Sequence, residues 1–405
     1  MDFYNLISLQ QAQQCIEENG LLQLSVEKID FSKARHRVLA EDVYSPEDLP
    51  PFSRSTMDGY AVNAADTFAA SEENPVYLKQ SGEVLMGERA ESFPGKGKAV
   101  KIATGAMLPA GADAVVKVEY TSELDHDQIE VFHPVRPGEA LVEAGEDIAA
   151  GEPLLRRGAL LGPAELGALA ALGVVEVPIF RRPRVGIIST GDELISPAGS
   201  PAPGEIRDIN SYSLSAAIEE VGGRPILDQP IGDSFTLLKE AVMEAVAGVD
   251  LLLISGGSSV GTRDVTVPLL EEIASDFYFH GVAVKPGKPT IFAIVNGVPV
   301  FGLPGHPVSV LVIFSLLVKP LLLASMCRSR EPALEAKMVR EYSSDIQREQ
   351  FLPLRLEESK GELLAHPLFG KSSLITTLVE AGGLVRIPMD SEGLRKGQRV
   401  QVIQL

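Results

Sequence analysis

Sulfur ligands are nearly absent from this chain. Among its 405 residues there are two cysteines, Cys15 and Cys327. Two cysteines far apart in sequence cannot form the cross-links that hold a small secreted domain, nor the set of thiolates that binds a structural zinc ion. The N-terminal segment also lacks a basic stretch followed by an apolar run, which is the pattern of a secretion signal. The sequence therefore predicts a cytoplasmic protein without a disulfide framework.

Positive charge is scarce as well. Lys and Arg number 36 against 55 Asp and Glu, which gives a formal net charge of -19. A surface of this sign repels the phosphate backbone of nucleic acids and the anionic surface of membranes, so neither is expected as a partner. A small anion can bind only where individual lysines and backbone N–H groups are placed around it.

The longest apolar run is too interrupted to predict a membrane span. Residues 308–326 are almost wholly apolar and come close to the roughly 20 residues that a spanning helix needs. Lys319 and Pro320 break the run, and the uninterrupted part, 308–318, is short. The sequence therefore predicts a buried core helix that ends near residue 318.

Familiar catalytic signatures are missing too. The chain has no Ser-His-Asp ordering of a hydrolase triad, no His-Glu-x-x-His and no Cys-x-x-Cys, so peptidase and zinc chemistry have little support. The remaining composition is ordinary for a globular protein, with 45% hydrophobic and 22% charged residues. At roughly 100–200 residues per domain, a chain of this length predicts two to four domains.

Composition along the chain predicts a multidomain protein of the α/β plus β class. Residues 51–145 hold short alternating runs separated by Gly and Pro, typical of a β-rich module inserted into a helical/β linker domain formed by 1–50 and 146–180. Residues 181–330 alternate apolar strands with helices, as in a doubly wound α/β domain whose parallel sheet is covered on both faces. Residues 331–405 return to short strands and predict a C-terminal small β barrel.

Strands and helices alternate regularly in the α/β segment. The patterns predict strands at 184–189, 225–227, 250–255, 277–279 and 299–301, and helices at 209–221, 234–247, 264–275 and 306–318. Ligands of such sheets bind beyond the carboxyl ends of the strands, so the loops at those ends should carry the chemistry.

Two of these loops are rich in glycine and serine. Residues 189–194, Ser-Thr-Gly-Asp-Glu-Leu, follow the first strand, and residues 255–261, Ser-Gly-Gly-Ser-Ser-Val-Gly, follow a later one. Small residues let backbone N–H groups approach an anion, although each loop could equally be an ordinary turn. Asp192, Glu193 and Asp264 could position a cation or a water molecule there.

Another loop places two lysines on a stiff turn. In residues 284–290, Val-Lys-Pro-Gly-Lys-Pro-Thr, Pro and Gly fix Lys285 and Lys288 near one point, which suits a small dianion; a solvated turn is the alternative. Residues 302–309 follow the next strand, and Pro307 suits the first turn of a helix whose unpaired N–H groups attract anions. His306, with no partner in sequence, is more typical of a structural residue than of a base.

The β module adds polar turns of its own. Asp58 precedes Gly59, Thr104 precedes Gly105, and Asp147 lies at the module's edge; Asp-Gly and Thr-Gly are in isolation typical turn pairs. Loop carboxylates beside phosphate-like ligands are the expected setting for Mg²⁺. The acidic candidates of the whole chain are Asp58, Asp147, Asp192, Glu193, Asp233 and Asp264.

Taken together and in order, these motifs closely resemble the molybdopterin molybdenumtransferase family, which includes the bacterial enzyme and the E domain of gephyrin. The resemblance spans roughly residues 5–405. The matching segments are 55–62, 103–106 with 109–116, 145–148, 189–194, Asp-Ile-Asn-Ser at 208–211, 255–261, 285–289, and 302–305 with 307–309.

The resemblance implies a role in molybdenum cofactor biosynthesis. Family members insert molybdate into the dithiolene of adenylylated molybdopterin and release AMP, with Mg²⁺ as cofactor. The resemblance also implies an elongated homodimer, in which the β module of one subunit faces the molybdopterin-binding α/β domain of the other. Molybdopterin adenylyltransferase and acceptor molybdoenzymes are the implied partners.

Site residues are implied position by position. The catalytic positions that match are Asp58, Thr104, Asp147, Glu193, Asp233 and Asp264, of which Asp233 and Asp264 are the metal ligands. The positions that match substrate or anion contacts are Ser189, Gly191, Gly256, Gly257, Ser259, Lys285, Lys288, Pro304, Ser309, Arg348 and Ser372.

The chain also departs from the family pattern. Val142, Glu143 and Ala144 stand where the family often has arginines, and His306 stands where Asn is common. Ser258 replaces Val or Ile, and Pro353 occupies a position that is often basic. Two rival functions stay open at the level of sequence: a scaffold or receptor-binding module of the gephyrin type, and a molybdopterin adenylyltransferase, which shares the α/β domain.

Overall fold

Three six-stranded sheets hold most of the strands of this protein. The computed structural model describes residues 6–125, 127–256, 265–329, 332–344 and 348–405. One sheet lies in the inserted module, one in the α/β domain and one in the C-terminal domain. The predicted multidomain α/β plus β class is therefore confirmed.

The segments before and after the module pair with each other. Val26–Asp30 runs antiparallel to Glu176–Phe180, and Val43–Tyr44 runs antiparallel to Pro153–Leu155. The helix Pro163–Ala171 starts with Pro163. The Glu165 carboxylate accepts a hydrogen bond from the backbone N–H of Gly162, the residue before the helix, and so caps the helix N-terminus. The two ends of the module therefore leave one small domain side by side.

The module is an open sheet with a core on each face. Its strands, in spatial order, are Ala114–Lys117, Gly59–Val62, Lys98–Ile102, Val76–Val84, Gln128–Val131 and Thr121–Asp125. Tyr60 and Val62 pack into one apolar cluster, while Ala61 packs into another on the opposite face. Because successive side chains of a strand point to opposite faces, every residue of Gly59–Val62 is buried. Arg54–Ser55 pairs separately with Leu141–Val142.

The α/β sheet is mainly parallel. Its spatial order is Arg224–Leu227, Arg184–Ser189, Leu251–Ser255, Val298–Leu303, Ile291–Val295 and Asp276–His280. The first four strands in this order are mutually parallel. Ile291–Val295 runs antiparallel to both of its neighbours, so the edge strand Asp276–His280 again has the direction of the first four. The expectation of an all-parallel sheet is wrong at this edge, and the strand Ile291–Val295 was not predicted. Asn296 and Gly297 have φ values of 51° and 78°, which is the two-residue hairpin turn that joins antiparallel strands.

Helices cover both faces of this sheet, as a doubly wound domain requires. Asn210–Glu220 packs with Val185 and Ile187 on one face, whereas Phe235–Val246 and Thr266–Ile273 pack with Ile188 on the other. Two short strands, Leu194–Ile195 and Ile206–Arg207, pair beside the sheet. The predicted doubly wound architecture is therefore confirmed.

The apolar helix is longer than its sequence predicts. It runs as α-helix over Pro307–Ile313, as a π-helical turn over Phe314–Val318 and again as α-helix over Lys319–Ser325. The predicted end near residue 318 is wrong, because the π turn lets the helix continue past Pro320. By length and hydropathy it is the one span candidate among the residues described, but 72% of it is buried inside the fold. It is a core helix, as predicted.

The first helix also joins the α/β core. Leu9–Asn19 begins with a capping box between Ser8 and Gln11, and its residues Leu9 and Ile16 lie in the same apolar cluster as the long helix. Gln13 donates a hydrogen bond to the backbone oxygen of residue 316 at 3.1 Å. The start of the chain, grouped by its sequence with the linker domain, is thus packed on the α/β domain.

The C-terminal domain is a closed barrel. Glu349–Ser359, Glu362–Pro367, Leu334–Met338, Arg399–Ile403 and Gly383–Ile387 pair in this order, and the last strand returns to the first. Tyr342–Ser343 and Gly393–Leu394 pair beside it. The short helix Thr376–Val379 lies in the connection between Glu362–Pro367 and Gly383–Ile387. Val284–Lys285 of the α/β domain adds in parallel to Glu349–Ser359, so the barrel is attached at the strand that carries a predicted lysine.

Candidate functional site

The strand ends of the α/β sheet meet at one edge. The backbone N–H of Thr190 donates to the oxygen of Ser255 at 2.9 Å, and the N–H of Gly256 donates to the oxygen of Leu303 at 3.3 Å. These residues follow three neighbouring parallel strands, so their loops lie side by side. Gly256 has a φ of 108°, and a Cβ there would lie 2.4 Å from the Thr190 oxygen. Only glycine lets the two loops approach this closely.

Carboxylates gather at the same edge. A Cβ on Gly191, whose φ is 153°, would lie 2.8 and 2.9 Å from the two oxygens of Glu193, so that carboxylate folds back over the glycine. The N–H of Asp233 donates to Oδ1 of Asp192 at 2.9 Å. The predicted residues Gly191, Glu193 and Asp233 therefore belong to one loop cluster.

Asn210 connects these loops. Its Nδ2 donates to Ser255 Oγ at 2.8 Å and to the oxygen of Gly305 at 2.9 Å. The bond to Gly305 requires the nitrogen, because a carbonyl oxygen only accepts, so the orientation of the amide is fixed. Within the residues described, Asn210 Oδ1 and Thr190 Oγ1 are buried without a hydrogen-bond partner. The cluster thus holds polar atoms that its own side chains do not satisfy.

Ser189 has a supporting position in this cluster. It is buried, and its hydroxyl lies 3.2 Å from Asp208 Oδ1 and 2.9 Å from Ser211 Oγ. Asp208 also accepts from the backbone N–H of Ser211 at 3.1 Å. The hydroxyl of Ser189 is therefore engaged in holding the start of the helix Asn210–Glu220, and its predicted anion contact stays a prediction.

The lysine turn is held against the long helix. A Cβ on Gly287, whose φ is 116°, would lie 2.4 Å from Ile313 Cδ1. The hydroxyl of Thr290 donates to the Gly287 oxygen at 2.7 Å. Lys285 and Lys288 are thus presented by a backbone with little freedom. Residue 350 lies opposite Lys285 in the ladder, which brings the predicted Arg348 to the start of the adjoining barrel strand.

A cavity of about 660 Å³ lies between the α/β domain and the barrel. Its wall includes the predicted residues Lys285 and Ser372, together with His306. Apolar and aromatic side chains such as Phe351 and Phe369 form much of the remaining wall. The cavity therefore combines cationic and hydroxyl groups with a low-polarity lining, in which charge–charge attraction is stronger than in water.

The N-terminus of the long helix opens at this cavity. His306 is the N-cap residue and Pro307 is the first helical residue. The N–H of Val308 donates to the Ser372 oxygen at 3.1 Å, and His306 Nδ1 lies 2.9 Å from Ser372 Oγ. Pro304 lies just before the cap, and Ser309 is buried in the first turn. The barrel loop is thus joined to the helix end.

The β module brings its two predicted residues together. Asp58 Oδ1 accepts hydrogen bonds from the Thr104 backbone N–H at 2.8 Å and from the Thr104 hydroxyl at 3.1 Å. These bonds, the backbone bond first, lower the pKa of the Asp58 carboxyl below its ordinary value. Within the part of the chain that is described, no hydrogen bond joins Asp58 or Thr104 to the α/β domain.

Asp147 lies in a bend beside the isolated bridge between Leu49 and Ile148. Its backbone N–H donates to the oxygen of Leu49 at 3.0 Å, and its side chain is exposed. The preceding segment, Leu141–Val142, pairs with Arg54–Ser55 immediately before the Asp58 turn. The position is compatible with one acidic face of the module.

Three predicted residues, Gly257, Ser259 and Asp264, lie outside the described residues, as does the Ser258 departure. Elsewhere, no group of three or more His, Cys, Asp or Glu gathers as a metal site. Mg²⁺ is commonly held by one or two carboxylates together with substrate phosphates. Glu193 and Asp233, which lie on the neighbouring loops of this edge, would supply two such carboxylates.

Comparison with known proteins gives the same three-part division along the chain. The model of the MoeA N-terminal region (domain I and II) matches residues 7–173. The model described as a probable molybdopterin binding domain matches residues 186–324, and the model of the MoeA C-terminal region (domain IV) matches residues 335–405. The molybdopterin molybdenumtransferase of Bacillus subtilis is 34% identical over 387 residues, which cover 94% of this chain and 90% of that protein.

The chain belongs to the molybdopterin molybdenumtransferase family. Solved structures agree with this membership. A molybdopterin biosynthesis MoeA protein from Pyrococcus horikosii has a TM-score of 0.86 and 40% identity, covering 99% of both chains. A second structure, from Pyrococcus horikoshii OT3, has a TM-score of 0.88 and 34% identity, covering 99% of this chain and 100% of that one. The predicted resemblance is therefore confirmed.

Sequence reasoning missed the residues that join the loops of this family member. Asp208 and Asn210 were recognised as part of a matching segment but not as site residues. Asp followed by Asn and Ser at the start of a predicted helix is a capping signal, and it could have identified Asp208. Asn210 could not be found in this way, because its partners Ser255 and Gly305 are distant in sequence.

Proposed function

We propose that this chain is a molybdopterin molybdenumtransferase of the cytoplasm, which transfers molybdenum from molybdate to adenylylated molybdopterin and releases AMP. The name of the Bacillus subtilis relative and the match along nearly the whole chain support this activity. The observation that carries the proposal is the cavity in which Lys285, a helix N-terminus and Ser372 meet. In a chain of net charge -19, such a site favours a small anion that is captured locally.

Molybdate is a tetrahedral dianion and matches these groups. Lys285 supplies charge from the cavity wall, the helix start at His306 supplies the positive end of a dipole, and Ser372 supplies a hydroxyl. Lys288, three residues further along the same stiff turn, adds a second positive charge beside the cavity. Arg348 enters from the adjoining barrel strand. The barrel and the α/β domain must stay docked for these groups to act together.

The adenylylated pterin lies in this proposal along the neighbouring strand-end loops. Gly191 and Gly256 leave room for its phosphates beside the loops, the Thr190 hydroxyl can donate to them, and Asn210 keeps the loops in register. Glu193 and Asp233, with Asp264, would hold Mg²⁺. When bound, Mg²⁺ neutralises charge on the phosphoanhydride that is cleaved when AMP leaves.

A homodimer completes the site. Asp58 and Thr104 form a hydrogen-bonded pair, and within the described part of the chain no hydrogen bond connects this pair to the α/β domain. The partner subunit therefore delivers Asp58, Thr104 and Asp147 to the loop cluster of the first subunit. The lowered pKa of Asp58 keeps its carboxylate charged, which suits a group that positions a cation or a proton during phosphoanhydride cleavage.

The activity is tested with purified protein, adenylylated molybdopterin, molybdate and Mg²⁺. We expect release of AMP that depends on molybdate and the appearance of active cofactor, measured by reconstitution of an apo-molybdoenzyme. Lack of molybdate-dependent AMP release would remove the enzymatic proposal.

Shared sites are tested with heterodimers isolated by two affinity tags. A dimer of Asp58→Ala with Lys288→Ala contains one intact composite site and should retain about half of the wild-type activity. With molybdate held well below the half-saturation of the wild type, where the Lys288→Ala site runs at about a tenth of its normal rate, a dimer of wild type with a chain that carries both substitutions should be nearly inactive. If each site lay within one chain, the two results would be reversed.

The rival functions have weaker support. A molybdopterin adenylyltransferase needs only the α/β domain, whereas the family models match the regions on both sides of it. A scaffold has no need of the clustered carboxylates and lysines. Such an adenylyltransferase, as supplier of substrate, and acceptor molybdoenzymes remain the partners that we propose.

A further inference from the structure

We infer that His306 is a positioning residue that fixes the Ser372 hydroxyl in the anion cavity through its Nδ1 atom. The inference rests on the proposed function for its effect on molybdate, but its structural part can be tested separately. It concerns the N-cap residue of the long helix.

Two contacts join the barrel loop to the start of the long helix. His306 Nδ1 lies 2.9 Å from Ser372 Oγ, and the N–H of Val308 donates to the Ser372 backbone oxygen at 3.1 Å. The backbone contact places the loop, whereas only the histidine contact touches the hydroxyl. Ser372 and His306 both line the cavity with Lys285.

The role of the histidine side chain follows from its position. As the N-cap residue it makes no hydrogen bond to the first turn of its own helix. An N-cap side chain ordinarily accepts a bond from that turn. Here the imidazole does not cap its own helix and instead contacts Ser372 of the neighbouring domain.

Proton bookkeeping fixes the direction of this hydrogen bond during anion binding. A serine hydroxyl has one hydrogen to donate and can accept from other donors. If Ser372 donates its hydrogen to an anion, then its oxygen must accept from His306, so Nδ1 carries a hydrogen. The histidine thereby turns the hydroxyl hydrogen toward the cavity. An unguided serine would divide its time among several rotamers and contribute less.

Chain length makes the idea testable. Asn carries its amide nitrogen at the δ position, the same number of bonds from Cα as Nδ1 of His, and so it can donate to Ser372 in the same way. Gln carries its amide at the ε position and mimics the other ring nitrogen instead. His306→Asn should therefore preserve the function of this residue, whereas His306→Gln and His306→Ala should lose it.

The first experiment measures binding of molybdate alone by equilibrium dialysis, and the KM for molybdate against kcat. His306→Ala, His306→Gln and Ser372→Ala should each weaken binding by about three- to tenfold and raise KM with kcat little changed. His306→Asn should match the wild type. The double variant His306→Ala with Ser372→Ala should be no weaker than either single variant, since both changes remove one interaction.

The second experiment is independent of molybdate. Hydrogen exchange on the full-length apo protein should show faster exchange at the Val308 amide and in the 370–374 loop for His306→Ala and His306→Gln, but not for His306→Asn. Unchanged exchange in His306→Ala would overturn the positioning role. If exchange changes as expected but wild-type protein does not bind molybdate, the proposed function fails and the positioning role stands.

The outcome for His306→Asn decides between a hydrogen bond and a charge. If His306→Asn binds molybdate as poorly as His306→Ala, the histidine acts as a cation or as bulk and the inference is wrong. Additive losses in the double variant would be equally contrary, because they would mean that His306 and Ser372 contribute separately.

Discussion

The Asp58–Thr104 pair of the module and the cavity lined by Lys285, here called the lysine cavity, are built in opposite ways. Asp58 and Thr104 are joined by hydrogen bonds at 2.8 and 3.1 Å inside a single module. The cavity draws Lys285 from the α/β domain and Ser372 from the barrel, and its form depends on how these two domains dock. A preformed Asp58–Thr104 pair can contact a partner as a rigid unit, whereas an anion cavity between domains can adjust to its ligand. The difference predicts that substitutions in the two regions will affect different kinetic parameters.

The largest expected effect is that of Asp58→Ala on turnover. Loss of a charged group aimed at a reacting centre commonly costs about 10²–10³-fold in kcat. We expect such a loss in AMP release, with molybdate binding and the dimer unchanged, because the lysine cavity is built elsewhere. Asp127→Ala, which removes an exposed carboxylate of the same module that pairs with Lys79, is the control and should be neutral. Wild-type turnover in Asp58→Ala would exclude this residue from the site.

The next effect concerns the rigidity of the module. A Cβ on Gly59 would lie 1.9 Å from the backbone oxygen of Val116, which cannot move without breaking the ladder next to the Asp58 turn. Gly59→Ala should lower the free energy of unfolding by about 3 kcal/mol, measured by denaturant titration. Gly167→Ala is the matched control, since nothing lies within 4 Å of its added Cβ and it is helical. If Gly59→Ala were as stable as this control, the turn would be adaptable rather than preformed.

Lys288→Ala should have a smaller effect and on the other parameter. Loss of a charge-assisted contact should raise the molybdate concentration for half-saturation by about tenfold, while kcat at saturating molybdate stays near the wild-type value. Lys239→Ala, on a helix of the same domain and paired with Glu272, controls for the loss of charge. An unchanged molybdate titration in Lys288→Ala would separate this lysine from the cavity.

The same contrast explains what the sequence could predict. Strands such as Arg184–Ser189 and helices such as Phe235–Val246 are indicated by local periodicity and caps, and the structure has them where expected. The hairpin at Asn296–Gly297 was missed although its Asn-Gly pair is a local signal, because the surrounding residues read as one apolar region. The helix beyond Pro320 was missed because a π turn has no clear sequence pattern.

Contacts between residues far apart in sequence limit how much of the site can be predicted. The lysine turn is local, and its stiffness follows from Pro286 and Gly287. The Asp58–Thr104 pair was predicted only through the family resemblance, since 46 residues separate its members. The contact of His306 with Ser372 spans 66 residues and two domains, and no periodicity encodes it. Local chemistry was therefore predictable, but its assembly was not.

The smallest expected effect tests how Asp58 is kept charged. Thr104→Val removes the hydroxyl bond at 3.1 Å and keeps the backbone bond at 2.8 Å, which is the larger cause of the lowered pKa. The pKa of Asp58 should thus rise part of the way back toward its ordinary value. Because a lowered pKa keeps the carboxylate charged until the pH falls through it, the acid-side loss of kcat should begin at a higher pH in Thr104→Val.

The shift should be smaller than the one that loss of both bonds would cause, since the backbone bond remains. Thr121→Val removes the hydroxyl of another threonine in the module, which donates to a backbone oxygen at 2.9 Å, and should leave the acid limb unmoved. An identical acid limb in Thr104→Val and the wild type would mean that the backbone bond alone sets the charge of Asp58. In that case the turn geometry, rather than the threonine side chain, keeps the Asp58 carboxylate charged.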